Sequence, residues 1–197
     1  MHIIPEQLYH IYSQGNNQEA IFRERADYVY FLNRVRKRVL PVSDIICYCL
    51  MPNHYHFMVN ANPKACMPVK LGNIISQELP NAFRILNSGY ANEFNKKYKR
   101  SGSLFRQKTK FKLLTNNSQS GDYSFICFNY IHQNPLKSGL VKKMEDWEFS
   151  SFQDYLGNRN GTLCNYTIAR ELLGINNNTF YEESYAVIQD SVLDKLI

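Results

Sequence analysis

The chain has 197 residues, 44% hydrophobic and 20% charged, a balance that suits one globular domain with its own core and excludes a disordered or fibrous protein. Lys and Arg outnumber Asp and Glu by 23 to 17, for a net charge of +6, which favours an anionic partner, nucleic acid being the commonest. No apolar run is long enough to span a membrane, the start lacks the pattern of a signal peptide, and five scattered cysteines with no metal-binding spacing point to reduced thiols in the cytoplasm.

In chain order, Leu8 to Ser13 reads as a short strand and Gly15-Asn16-Asn17 as a turn. Arg23 to Leu40 reads as a helix, with Tyr28, Phe31, Leu32, Val35 and Val39 at helical spacing, ended by Pro41. Asp44 to Leu50 and His54 to Val59 read as two strands of a hairpin joined at Met51-Pro52-Asn53. Leu71 to Leu79 and Asn81 to Tyr98 look helical, with a break at Pro80. Phe111 to Leu114 is a fourth strand, and Asp122 to Asn134 a helix stopped by Pro135. Short helical pieces follow at Ser150 to Leu156 and Tyr166 to Leu173.

This order predicts an α+β fold of the split βαβ kind: an antiparallel sheet with helices on one face and an active site on the other. Residues 1–157 make the expected main domain. Residues 158–197 make a small helical appendage or tail.

Three groups of residues carry chemistry. His54 and His56 stand two apart in a strand, so they share a face, while Tyr55, Phe57 and Val59 point oppositely into a helix-covered core. Two imidazoles on a stiff strand form a two-point metal clamp, although a lone pair of this kind also reads as surface histidines. A third ligand must come from elsewhere, with positions left open for substrate.

The second group is Asn129-Tyr130-Ile131-His132-Gln133-Asn134-Pro135. Tyr130 and Asn134 are four apart and share a helix face. A phenol is a usable nucleophile when the charge on a phosphate is neutralised. Asn134 offers an amide oxygen to a metal, with Gln133 or His132 as alternatives. Read alone, Tyr130 fits a core position better than a catalytic one, because Tyr123, Ile126, Cys127, Tyr130 and Ile131 follow helical spacing.

The third group runs from Asn95 to Lys112, with eight basic residues and no acidic one: Lys96, Lys97, Lys99, Arg100, Arg106, Lys108, Lys110 and Lys112. Tyr98, Phe105 and Phe111 are interleaved. Basic groups hold phosphates and aromatic rings stack unpaired bases, as single-strand binding requires.

Taken in order, the strings Leu50-Met51-Pro52-Asn53-His54-Tyr55-His56 and Tyr130-Ile131-His132-Gln133-Asn134-Pro135-Leu136-Lys137-Ser138-Gly139-Leu140-Val141, with Gly15-Asn16-Asn17, Phe94 to Tyr98 and Gly102 to Phe105 in support, resemble the REP-associated branch of the single-tyrosine transposases in the HUH endonuclease superfamily. The resemblance covers roughly residues 8–157. It implies a ferredoxin-like catalytic fold, a Mg²⁺ or Mn²⁺ ion on His54, His56 and Asn134, and attack by Tyr130 on single-stranded DNA near a hairpin. A 5′-phosphotyrosine and a free 3′-OH would result, and a 3′-OH would later rejoin the strands.

DNA contacts are expected at Asn53, Lys96, Lys97, Lys99, Arg100, Phe105, Arg106, Lys108 and Lys110. The protein would act as a monomer or homodimer. Two positions depart from the pattern. Gln14 stands where the group often has Arg, which touches a local DNA contact and not the chemistry. Asn134 stands where related transposases commonly carry Gln. Two other readings compete: a nucleic-acid binding module without catalysis, and a metal-dependent phosphohydrolase in which water is the nucleophile. The second is disfavoured by the scarcity of carboxylates near the motifs.

Overall fold

A computed structural model describes residues 2–114 and 120–189. Among the described residues six strands and six α-helices follow one another: β1 (Leu8–Gln14), α1 (Arg25–Arg38), β2 (Ser43–Met51), β3 (His54–Ala61), β4 (Pro68–Leu71), β5 (Ile74–Gln77), α2 (Glu78–Lys97), β6 (Lys110–Leu113), α3 (Ser120–Lys137), α4 (Phe152–Tyr155), α5 (Tyr166–Leu173) and α6 (Phe180–Ser184).

The main sheet has the order β2-β3-β1-β6, with every neighbouring pair antiparallel. β1 and β2 therefore run parallel with β3 between them, which is the split βαβ arrangement. Pairing fixes the faces. Ile11 lies opposite Phe57, and Tyr9 opposite Val59. With Tyr55 these residues face α1 and α2, where they meet Phe31, Val35, Phe83 and Leu86, all fully buried. Each such large side chain withdrawn from water contributes about 1.5–3 kcal/mol.

The alternate residues face the other way. Tyr12 lies opposite His56, Gln14 opposite His54 and His10 opposite Met58. Cys49 and Met51 extend that face across β2, and Lys110 and Lys112 across β6. A bulge at Ile45/Cys47 inserts Ile46 and keeps the rest of β2 in phase.

Helices do not keep to one face as the sequence reading has them. α1 and α2 cover the first face, but α3 crosses the second. There Cys127, Phe128, Tyr130 and Ile131 join Cys47, Cys49, Met51 and Met58 in a second core. The physical reason is α3's apolar stripe, which needs a partner surface of its own. The far side of the sheet is thus half covered, and the site lies in what α3 leaves open.

Residues 158–189 pack into these cores. Leu163 and Cys164 enter the first, and Ala169, Leu173 and Phe180 enter the second. Residues 190–197 lie outside the described residues.

Three local expectations are corrected. Residues 68–77 form the β4–β5 hairpin, with Gly72 at φ +60° in its turn, and not the start of a helix. Pro80 does not break α2 because it sits in the first turn, where its missing N–H has no helical acceptor. Pro135 likewise does not stop α3, which continues to Lys137.

The turn of the β2–β3 hairpin is braced. The Gly15 N–H donates to the Asn53 carbonyl (2.7 Å), and the Ile21 and Phe22 N–H groups donate to the Pro52 carbonyl (2.8 and 3.0 Å). Only glycine fits at position 15, since a Cβ there would lie 2.1 Å from the Glu19 carbonyl oxygen. On the outer edge of β2, Leu50 donates to the Phe149 carbonyl and Ser151 to the Tyr48 carbonyl, which covers an otherwise open strand. No described helix is long and apolar enough to cross a membrane.

Candidate active site

A cavity of about 600 Å³ opens where α3 passes over β1 and β3. His54, His56, Tyr130 and Asn134 line it together, facing Arg106, Lys108 and Lys110. The His54 and His56 rings are 5.0 Å apart and nearly perpendicular. Tyr130 stands edge-on to His56 at 5.5 Å.

Each histidine is held by one nitrogen. His54 Nδ1 lies 2.6 Å from Asn53 Oδ1, and His56 Nδ1 lies 2.8 Å from His10 Nε2. The nitrogen left for a ligand is therefore Nε2 in both. Burial lowers the pKa of both imidazoles. His54 is partly compensated by Asn134, and His56 is pushed further down by the neighbouring His10 and His54. Neutral rings with a lone pair available are what a metal ion requires.

Asn134 Nδ2 donates to the Tyr130 carbonyl at 2.8 Å, one turn back along α3. The same amide interacts with the His54 ring and the Tyr130 hydroxyl. Burial raises the Tyr130 pKa to about 12, with Asn134 opposing the rise. At neutral pH the phenol is protonated and needs a cationic partner to become a nucleophile.

The alternatives to Asn134 point elsewhere. Gln133 donates to the Ser184 and Ala186 carbonyls (2.7 and 2.9 Å). His132 is fully buried on the far side of α3, with Nε2 2.8 Å from Ser151 Oγ. Only Asn134 of the three reaches the cavity. Two nitrogens and an amide oxygen on rigid elements, with the remaining positions open to the cavity, fit a mixed nitrogen–oxygen cation site.

The basic stretch divides into two parts. Arg106, Lys108 and Lys110 line the cavity, and a second cavity of about 650 Å³ beneath α2 adjoins it through Arg106, Gln107 and Lys108. The backbone holds them there, because Arg106 donates to the Gln14 carbonyl at 2.9 Å. Lys97, in contrast, pairs with Glu24 (2.7 Å) and Asp27 (2.5 Å), and Arg100 pairs with Glu19 (2.7 Å). Lys96 and Lys99 are exposed near that end of α2.

Phe105 is buried in the first core, packed against Tyr55 and Tyr90. At 7% exposure its ring offers little surface for stacking on a base, although it lines the second cavity. Asn53 turns its side-chain oxygen to His54.

Sequence reading missed His10 and Tyr12. Tyr12 lines the cavity with its ring 5.7 Å from His56. Both residues alternate correctly in Tyr9-His10-Ile11-Tyr12, but only the β1–β3 register shows that they lie beside the histidine pair.

No family model matches the chain. A Haemophilus influenzae protein named as a REP-associated tyrosine transposase is 25% identical over 113 residues, covering 55% of this chain. The chain spans 58% of that relative's length. A solved structure of a REP-associated tyrosine transposase bound to a REP hairpin superposes with a TM-score of 0.56 at 15% identity, covering 85% of this chain and 93% of that one. This chain is similar to the REP-associated tyrosine transposases. The shared architecture is the mixed sheet-and-helix fold described above.

Proposed function

We propose that this protein is a transposase-type endonuclease that cuts and rejoins single-stranded DNA beside a hairpin, with Tyr130 as the nucleophile. The observation that carries the reading is the convergence of Tyr130, His54, His56 and Asn134 in one cavity walled by Arg106, Lys108 and Lys110. The hairpin seen with the structural neighbour supports DNA of that kind as the partner.

A strand entering the cavity meets the basic residues first, and these fix its phosphates. Mg²⁺ or Mn²⁺, held by His54, His56 and Asn134, would supply Lewis acidity to the scissile phosphate. The Tyr130 hydroxyl oxygen attacks phosphorus, the P–O3′ bond breaks, and the departing 3′-oxygen takes up a proton as the phenol loses one. The product is a 5′-phosphotyrosine and a free 3′-OH. The reverse attack by a 3′-OH restores the phosphodiester and releases the phenol, so no nucleotide cofactor is consumed. Asn134 holds the end of α3 by its bond to the Tyr130 carbonyl, which fixes the phenol's approach. One chain carries the whole set, so the reading needs no second copy, and it places the protein in the cytoplasm with its DNA.

The test is a denaturing gel of purified protein with labelled hairpin-bearing single-stranded DNA, in Mn²⁺, Mg²⁺ or EDTA. A metal-dependent covalent band is expected, and it should vanish in Tyr130→Phe while binding persists. Tyr12 puts a second phenol in the same cavity, so Tyr12→Phe is the matched control and should retain the band. Salt-sensitive binding with no adduct under any ion would favour a binding module instead. Cleavage that survives Tyr130→Phe without an adduct would favour water as the nucleophile.

A further inference from the structure

The third histidine at the site, His10, is fully buried. It comes from β1, one strand away from the histidine pair, and its ring stacks on His56 at 5.1 Å between centroids, tilted by 21°. Its Nε2 lies 2.8 Å from His56 Nδ1, within direct hydrogen-bond reach. One proton joins two ring nitrogens here, so the pair can be arranged in only two ways when both rings are neutral. If His56 accepts, its proton sits on Nε2 and the ring offers no lone pair to a ligand. If His56 donates, Nε2 is a lone-pair donor, and the ring cannot rotate without breaking the bond.

We propose that His10 is a positioning residue for His56: His10 Nε2 accepts the His56 Nδ1 proton, which fixes the tautomer and leaves His56 Nε2 as the ligand nitrogen. The inference deepens the metal-site reading above and rests on it. A hydrogen-bonding partner on the far nitrogen of a ligand histidine sets both tautomer and orientation, and its loss weakens metal binding about 10–100-fold. Asn53 Oδ1 does the same for His54 Nδ1 at 2.6 Å. The two ligand rings are therefore held by two different elements, β1 and the β2–β3 turn.

The experiment uses the full chain, its His10→Phe and His10→Gln variants, Mn²⁺ titration followed by electron paramagnetic resonance, and long-range ¹⁵N–¹H spectra of the metal-free protein. The parent should show His56 protonated on Nδ1. His10→Phe should lose that tautomer and bind Mn²⁺ about 10–100-fold more weakly. His10→Gln, whose side-chain oxygen can accept the same proton, should restore most of both. A folded His10→Phe that binds Mn²⁺ like the parent overturns the proposal, as does a parent whose His56 proton sits on Nε2. If His10→Phe fails to fold, His10→Gln decides alone by whether His56 keeps its Nδ1 proton. If the parent binds no Mn²⁺, the metal reading falls and the His56 tautomer in parent and variants still upholds or overturns the role of His10.

Discussion

Strand β3 serves two regions that differ in almost every physical respect. On one side Tyr55, Phe57 and Val59 are fully buried under α1 and α2 among aromatic and aliphatic side chains. On the other, His54 and His56 sit among His10, Gln14, Tyr12 and Asn134, in a cavity open to basic residues. The first face is dry and closed. The second carries polar groups beside the cavity, with His54 and His56 each held by a side-chain partner. The contrast teaches how a site holds neutral imidazoles in a fixed pose: rigidity comes from the apolar side of the same strand, so the polar side need not be tightly packed.

Perturbing each side should separate stability from chemistry. Phe57→Ala empties a fully buried position and should cost about 3–5 kcal/mol in urea unfolding, whereas Tyr130→Phe should leave the unfolding midpoint near the parent's while removing the adduct.

Acid sharpens the comparison, because the polar side also carries a buried imidazole unrelated to the cavity. Burial pushes His132 down to about 3 from its ordinary 6.5. Its folded pKa is depressed, so the unfolded chain binds the proton first. Its contribution is fully present above about pH 6.5 and is lost as pH falls toward 3, by up to about 1.4 kcal/mol per unit. Unfolding followed from pH 7 to 4 should show this decline, and His132→Gln should make it shallower, the depressed His54 and His56 imidazoles supplying the rest.

A smaller effect is expected at the site's support. Asn53→Ala removes the acceptor on His54 Nδ1 and should weaken Mn²⁺ binding at least about tenfold, read by titration, with little change in stability. The smallest effect distinguishes the two halves of the basic stretch. Arg106→Ala should lower the salt dependence of DNA binding by about one in slope. Lys97→Ala should leave that slope unchanged, because its ammonium is already paired with Glu24 and Asp27. Equal slopes for the two variants would remove the division.

Much of this arrangement is readable in the sequence because it depends on local periodicity. The two-residue repeat of β3 separates Tyr55 and Phe57 from the histidines, and the four-residue spacing of Tyr130 and Asn134 puts both on one turn of α3. What resists reading depends on contacts distant in sequence. His10 and Tyr12 acquire meaning only through the β1–β3 register. The choice of Asn134 over Gln133 depends on a segment fifty residues downstream, whose carbonyls claim the Gln133 amide. Residues 71–79 mislead for a local reason: Leu71, Ile74, Ile75 and Leu79 have helical spacing, yet Gly72 permits a turn that puts residues 71–77 into a hairpin. Phe105 misleads because its basic neighbours suggest a surface position, while the backbone pairing at Gly15 and Phe105 folds the ring inward.

The bonds that hold α3 from behind have a consequence for how the protein is made. Gln133 is tied to the carbonyls of Ser184 and Ala186, and Asn129 to that of Glu183, so the helix bearing Tyr130 is clamped by residues synthesised long after it. A chain still emerging from the ribosome has its histidine strand and its tyrosine, but no clamp until residue 186 has been added and released. In order of synthesis, the strand of His54 and His56 and the helix of Tyr130 precede the residues whose carbonyls hold α3 from behind.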